Sequence, residues 1–445
     1  MSPSQLTPID LLIEARWIIP VEPFDTVLEN HAVAIDKGEI VAILQQREAS
    51  SRFAPRQTRA LDHHILIPGL VNLHTHAAMT LLRGLADDLP LMAWLEQYIW
   101  PAEAKHLSPN FVHDGSLLAC AEMLRGGVTC FNDMYFYPKA VAKAALSTGI
   151  RAAIGLIAID FPTPYGNDVD DYLAKGMAVR DELRHESLLS FCLAPHAPYT
   201  VSDRGLAKVL TLAEQCDLPI HLHLHETRKE IDDSLRQYGM RPLERLRQLG
   251  LLGPALIATH AIHLEPEEIA LLAQHSCSVA HCPSSNLKLA SGIAPIAELA
   301  DAGVNVGIGT DSAASNNRLD MFEEMRLAAL LAKVASTRAE AIHAHQALRM
   351  ATLEGARALG LEEKIGSLRP GKAADLCAVS IRDSRLLPCY DPVSLLVYVA
   401  GREQVSDVWV AGKCCITDGQ LAGNSEIELL HLASLWQNLV RPRDV

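Results

Sequence analysis

Two textures of apolar patterning divide the chain. In residues 1–64 short apolar runs sit between turn signals. His31–Asp36 and Glu39–Leu44 flank Lys37-Gly38, a two-residue hairpin signal. Residues 371–445 return to this texture. Ala374–Val379 and Val405–Val410 read as short strands, Ala411-Gly412 reads as a turn, and a helix is expected at the end. Between them the rhythm changes. β-rich runs near 65–74, 127–134, 150–158, 189–195, 218–224, 255–260, 277–282 and 304–310 are separated by helical stretches. Ser202–Leu212 and Pro295–Ala302 are two of these helices, the second closed by Gly303. Eight β-then-α units predict an α/β fold, a (β/α)8 barrel over 65–370, with 1–64 and 371–445 joined into one small β-sandwich. An open doubly wound sheet is the competing architecture. No G-x-G-x-x-G follows an early strand, so nothing marks a dinucleotide fold.

The 445 residues carry a formal charge of −14, which argues against a nucleic-acid partner and lends none to an anionic membrane surface. No window approaches the ~18 apolar residues of a membrane span. The first apolar run, Leu11-Leu12-Ile13, is cut by Glu14 and Arg16 and is no signal peptide. Ten scattered cysteines without a C-x-x-C pair predict reduced thiols. The expectation is a soluble cytoplasmic protein that assembles as a homo-oligomer.

Chemistry concentrates where the predicted strands end, which in a barrel is one rim. The first strand ends in His74-Thr75-His76, whose two imidazoles share a face by the two-residue period of a strand. The fourth ends in His196, the fifth carries His221, His223 and His225 before Glu226, the sixth ends in His260, the seventh in His281 and the eighth in Asp311. A lone histidine at a strand end is ordinarily structural; six ends meeting at one rim point to a site. His74, His76 and His223 would supply neutral nitrogens and Asp311 an oxygen. That makes a three-histidine, one-carboxylate site with an open position, suited to Zn²⁺ and next to Fe²⁺ or Mn²⁺. His221 and His225 share the alternation of His223 and compete with it, as His263 competes with His260. Asp311 and His260 are candidate general bases toward a water, and Glu226 the acid/base toward substrate. For His281 a structural hydrogen bond and a catalytic role weigh equally.

The stretches Pro68–His76, Trp100-Pro-Ala-Glu103, His223-Leu-His-Glu226, Thr259-His260, Pro283–Lys288 and Gly309–Asn316 resemble the amidohydrolase superfamily, and within it the 5′-methylthioadenosine/S-adenosylhomocysteine deaminases. The resemblance implies one zinc on His74, His76, His223 and Asp311. It selects His223 and His260 over their neighbours. It implies that Glu226 protonates the purine N1 during attack at C6, that Glu103 accepts from the ribose hydroxyls, that His196 contacts the nucleoside and that Ser315 lines the site. Binuclear members place a carboxylated lysine where this chain has His196, so one metal is expected. The stretch from Ala152 to Pro164 lacks the arginines implied for members that take S-adenosylhomocysteine. Asp160 would repel a carboxylate, and Phe161 would suit a thioether, so methylthioadenosine, with adenosine, is expected to be preferred. Guanine deaminases and s-triazine or other aromatic hydrolases of the superfamily are the enzyme alternatives. A non-catalytic barrel scaffold is the alternative of another class.

Overall fold

The computed structural model describes residues 6–423 and 425–441. Its sixteen strands form two sheets. The N-terminal part supplies β1 (Thr7–Ile18), β2 (Leu28–Asp36), β3 (Glu39–Gln45) and β4 (Phe53–Pro68). The middle supplies β5 (Leu70–Thr75), β6 (Val128–Tyr135), β7 (Arg151–Ala158), β8 (Leu189–Pro195), β9 (Ile220–Leu224), β10 (Leu256–His260), β11 (Ser278–His281) and β12 (Asn305–Ile308). The C-terminal part supplies β13 (Leu376–Ser380), β14 (Val405–Val410), β15 (Lys413–Thr417) and β16 (Gln420–Leu421), followed by a helix Glu426–Val440.

The end strands form one mixed sheet in the order β16-β15-β14-β13-β4-β1-β2-β3. β13 runs antiparallel to β4, with Leu376 opposite Pro68, and so joins the two chain ends. The sheet folds over on itself as a small sandwich. Ile13, Val33, Ile40, Leu376 and Trp409, from strands far apart in the sheet order, share one buried cluster. The hairpin turns Lys37-Gly38 and Ala411-Gly412 meet at the fold. A Cβ on Gly38 would lie 2.6 Å from the Ala411 carbonyl oxygen, and its φ is +82°.

Strands β5 to β12 are parallel and neighbour one another in chain order, with helices between them: a (β/α)8 barrel. The seam between β12 and β5 is closed just past the last strand. Asp311 N–H donates to the His74 carbonyl at 2.9 Å. The Asn72 amide bonds Thr310 twice, accepting from its N–H at 2.9 Å and donating to its hydroxyl at 2.7 Å. This close approach depends on Gly309, whose added Cβ would meet the His74 backbone nitrogen at 2.7 Å. The metal-rim residues His74 and Asp311 are therefore brought together by the closure itself.

One strand differs from its expected extent. The apolar run 65–74 is two strands. Ile65–Pro68 finish β4 in the end sheet, and the barrel begins at Leu70. The change occurs at Pro68-Gly69, where proline ends the ladder and glycine packs so tightly that a Cβ would overlap the Thr129 side chain. Both halves are buried, so hydrophobicity does not mark the break. The two units are tied beneath the barrel. Arg151 on β7 donates from Nε and Nη2 to the two carboxylate oxygens of Asp375, each at 3.1 Å, and both side chains are buried. Among the described residues no helix is long and apolar enough to cross a membrane.

Candidate active site

The C-terminal ends of the barrel strands open into a cavity of about 320 Å³. His76, His196, His223, Glu226, His260 and Asp311 line its floor, and mainly apolar side chains line the rest. The donor atoms gather in two overlapping groups, His74 with His223 and His260, and His74 with His76 and Asp311. Within each group the atoms lie no more than 4.8 Å apart.

Each imidazole is oriented by its second nitrogen. His76 Nδ1–H donates to the Met134 carbonyl at 2.5 Å, and His223 Nδ1–H donates to the His196 carbonyl at 2.7 Å. Both are thereby fixed in the tautomer that leaves Nε2 free as a lone-pair donor. His74 Nδ1 lies 2.9 Å from His221 Nε2, and its own Nε2 is buried without a hydrogen-bond partner. His74 and His76 place Nε2 at 3.3 and 3.4 Å from Asp311 Oδ1. Burial, the largest influence, depresses the basicity of His74 to a pKa of about 4 and of His223 well below the ordinary value, so both rings are neutral at pH 7. Burial raises the Asp311 carboxyl, but His74, His76 and His260 outweigh it and draw the group well below the usual range. Its orientation is set by the Ser312 N–H on Oδ1 at 2.7 Å, and by the hydroxyls of Ser285 and Ser315 on Oδ2 at 2.6 and 2.9 Å. Three imidazole nitrogens and one carboxylate, with His74 Nε2 buried and unpartnered, fit a divalent metal ion.

The alternation of β9 does not make its three histidines equivalent. His221 lies one layer deeper, under His74, against Asn132. The strand ends at Leu224, and His225, with φ +54°, turns out of the rim to accept the Leu243 N–H at 3.1 Å. Only His223 keeps its ring among the donors. His263 bonds the Ser291 carbonyl outside the cavity, whereas His260 stacks on His223 with ring centroids 5.5 Å apart. His281 is buried and neither ring nitrogen has a partner among the described residues, so of its two readings the structural hydrogen bond is not made among them.

Glu226 is buried, with Oε2 at 3.8 Å from His260 Nε2. Burial raises its pKa, with His260 pulling against the shift. Its backbone is held from behind by Glu230, whose carboxylate accepts the N–H groups of His225 and Glu226 at 3.0 and 2.8 Å. His260 Nδ1 meets Asn286 Oδ1 at 2.8 Å, which aims Nε2 at Glu226. Glu103 reaches the cavity from the helix Trp100–His106 and accepts the Tyr135 hydroxyl at 2.6 Å. Burial pushes its carboxyl up to about 7, against the effects of Tyr135 and His76. His196 and Ser315 also line the cavity.

Several of these residues escaped the sequence reading. Ser285 and Asn286 lie inside the motif Pro283–Lys288, so the signal existed without an assignment. Tyr135 and Glu230 carried none. The repulsion assigned to Asp160 is corrected. Its carboxylate accepts the Ser202 N–H and does not line the cavity, because the strand ends before it and turns it toward the helix Asp203–Cys216. Phe161, Pro162 and Pro164 do line it.

The amidohydrolase family model matches residues 65–415. A 5-methylthioadenosine/S-adenosylhomocysteine deaminase of Saccharophagus degradans is 45% identical over 431 residues, 97% of each chain. A zinc-bound adenosine deaminase from Xanthomonas campestris superposes with a TM-score of 0.97 at 50% identity, covering 98% of this chain and 100% of that one. Zinc-complexed atrazine chlorohydrolase from Arthrobacter aurescens has the same fold, with a TM-score of 0.89 at 24% identity over 96% and 99% of the two chains. The eight-stranded barrel, the two-ended sheet and the histidine–aspartate rim agree with these likenesses: the chain belongs to the amidohydrolase family.

Proposed function

We propose that this protein is a zinc-dependent hydrolase that removes the 6-amino group of an adenine nucleoside, with 5′-methylthioadenosine as preferred substrate. The carrying observation is one cavity that holds both a metal-type donor set and two carboxyls with different partners, Glu226 beside His260 and Glu103 beside Tyr135. Likeness to the deaminases named above supports the same reading.

His74, His76, His223 and Asp311 would hold one zinc ion. When bound, the metal lowers the pKa of a coordinated water toward ~7. Asp311 and His260 would take up the proton that water loses as its oxygen bonds C6. Glu226 would give a proton to N1 of the purine, which draws electrons from C6. Burial raises its pKa, which favours the proton-carrying form over an ordinary glutamate. The C6–N bond then breaks: the nitrogen leaves as ammonia with the proton first taken from the water, the proton of the new C6 hydroxyl returns to Glu226, and a carbonyl remains at C6. Glu103 as carboxylate would accept from two neighbouring ribose hydroxyls, and His196 would contact the nucleoside.

The preference for methylthioadenosine rests on the walls. No arginine or lysine lines the cavity among the described residues, while Phe161, Pro162, Pro164, Ile157 and Ile159 do. The charged amino-acid tail of S-adenosylhomocysteine would lose its water without gaining a partner, a cost of about 1–3 kcal/mol or more. A neutral methylthio group would not. The test is ammonia release from methylthioadenosine, adenosine, S-adenosylhomocysteine, guanine and a triazine, with metal analysis of the same sample. Inactivity on every adenine nucleoside by the zinc-loaded protein refutes the assignment. Equal kcat/KM for S-adenosylhomocysteine refutes the preference alone.

A further inference from the structure

The motif Pro283–Lys288 does more than the proposed chemistry uses. Within its helix, Pro283–Lys288, Ser285 and Asn286 hold Asp311 and His260. Its last residue, Lys288, is engaged elsewhere. The ammonium donates to Asp87 Oδ1 at 2.7 Å, to Asn317 Oδ1 at 2.6 Å and to the Ala314 carbonyl at 2.9 Å. Asn317 Nδ2 donates to Asp87 Oδ2 at 3.0 Å, so each oxygen of Asp87 has a partner. Three rim loops meet there: Asp87 follows β5, Lys288 follows β11 and Asn317 follows β12. None of the three side chains lines the cavity.

Asp87 lies four residues before a continuous helical segment, Leu91–His106, with a π turn at Leu95–Ile99. This segment contributes Leu91, Trp94, Leu95, Ile99 and Glu103 to the cavity wall. Its far end is tied by the Tyr135–Glu103 bond. At its near end the chain turns through left-handed backbone at Gly84 and Asp88, φ +67° and +60°. Within residues 84–90, Asp87 is the residue whose side chain makes hydrogen bonds to the rest of the protein, among the described residues. An isolated surface ion pair is worth little. Here Asp87 is shared between two partners, and the Lys288 side chain is only 19% exposed. The bond from Lys288 holds the Asp87 carboxyl below its ordinary range.

We propose that Asp87, Lys288 and Asn317 act together as positioning residues that hold the Leu91–His106 segment against the cavity, and so set nucleoside affinity without touching the nucleoside. The inference rests on the nucleoside reading of the cavity. If the segment is held closed for a smaller fraction of time, the apparent affinity falls by that fraction, while the chemistry at Asp311 and His260 is unchanged.

The test uses the metal-loaded full chain with Asp87→Asn, Lys288→Met, the double variant and Lys288→Arg. Each single variant is expected to raise KM for methylthioadenosine about fivefold, with kcat and metal content retained. Amide hydrogen exchange should quicken in 84–106 and not at the rim histidines. The double variant should be no worse than either single, and Lys288→Arg should recover most of the loss. Unchanged KM and exchange overturn the proposal. So does a loss of metal or kcat that accompanies the KM effect, or single effects that multiply in the double variant. If the wild-type protein deaminates no adenine nucleoside, the functional reading fails, and the exchange of 84–106 alone decides the latch. Unchanged protection there in Asp87→Asn overturns it.

Discussion

Glu103 offers the sharpest quantitative prediction. Its carboxyl is held near a pKa of about 7 by burial, with the Tyr135 hydroxyl on one oxygen. If the ionised form binds the ribose hydroxyls, the competent fraction is roughly one-tenth at pH 6, one-half at pH 7 and nine-tenths at pH 8. The sign follows from the raised pKa: activity is gained as pH rises through it, where an ordinary glutamate would already be fully ionised. On the ribonucleoside, kcat/KM should therefore climb about tenfold from pH 6 to pH 8 on account of this residue. Glu103→Gln keeps the volume and removes the charge. A hydrogen bond to a charged group is worth about 1.5–3 kcal/mol, so at pH 8 the variant should lose about 10- to 150-fold in kcat/KM. Its rise between pH 6 and pH 8 should also be shallower by the share that Glu103 contributes. A 2′,3′-dideoxy analogue of the same substrate should be nearly indifferent to the substitution. The assay is ammonia release across pH with both substrates, at equal metal content. An equal loss on the dideoxy analogue, or a pH 6–8 rise as steep in the variant as in the wild type, refutes the assignment of Glu103 to the ribose.

Glu226→Gln should lower kcat by about 10²- to 10⁴-fold, the range for a positioned proton-transfer group, with nucleoside binding and metal content kept; loss of bound metal would instead make the residue structural. His223→Ala should lose metal by elemental analysis, whereas His263→Ala should retain it, since His263 bonds Ser291 outside the cavity. Asp375→Ala leaves the Arg151 guanidinium buried and unpaired beneath the barrel, and should cost about 3–5 kcal/mol in denaturant unfolding. A change below about 1 kcal/mol, the worth of a surface pair, would mean water reaches Arg151.

Much of the rim was legible because strand alternation and chain order are local signals. His74 and His76 lie two apart, and the strand ends bearing His196, His223, His260 and Asp311 follow from eight β-then-α units. The glycine turns Lys37-Gly38 and Ala411-Gly412 were legible for the same reason. Alternation could not rank His221, His223 and His225, because rank depends on where β9 stops and how deep each ring sits. Nor could it assign Asp160, whose direction is set by a single residue at a strand end.

By itself the sequence determined the repeating barrel units, the residue types able to hold a metal and the two-ended β structure, since periodicity and turn chemistry act within a few residues. Tertiary structure decided what required distant segments to meet. The Pro68-Gly69 switch between sheets depends on Thr129. The Asp311 carboxylate takes its orientation from Ser285, Glu103 from Tyr135, and the wall helix its anchor from Lys288. Those partners are tens to hundreds of residues apart. Only closing the barrel brings them within hydrogen-bond reach, and only there does burial raise the Glu103 carboxyl while neighbouring histidines draw Asp311 down.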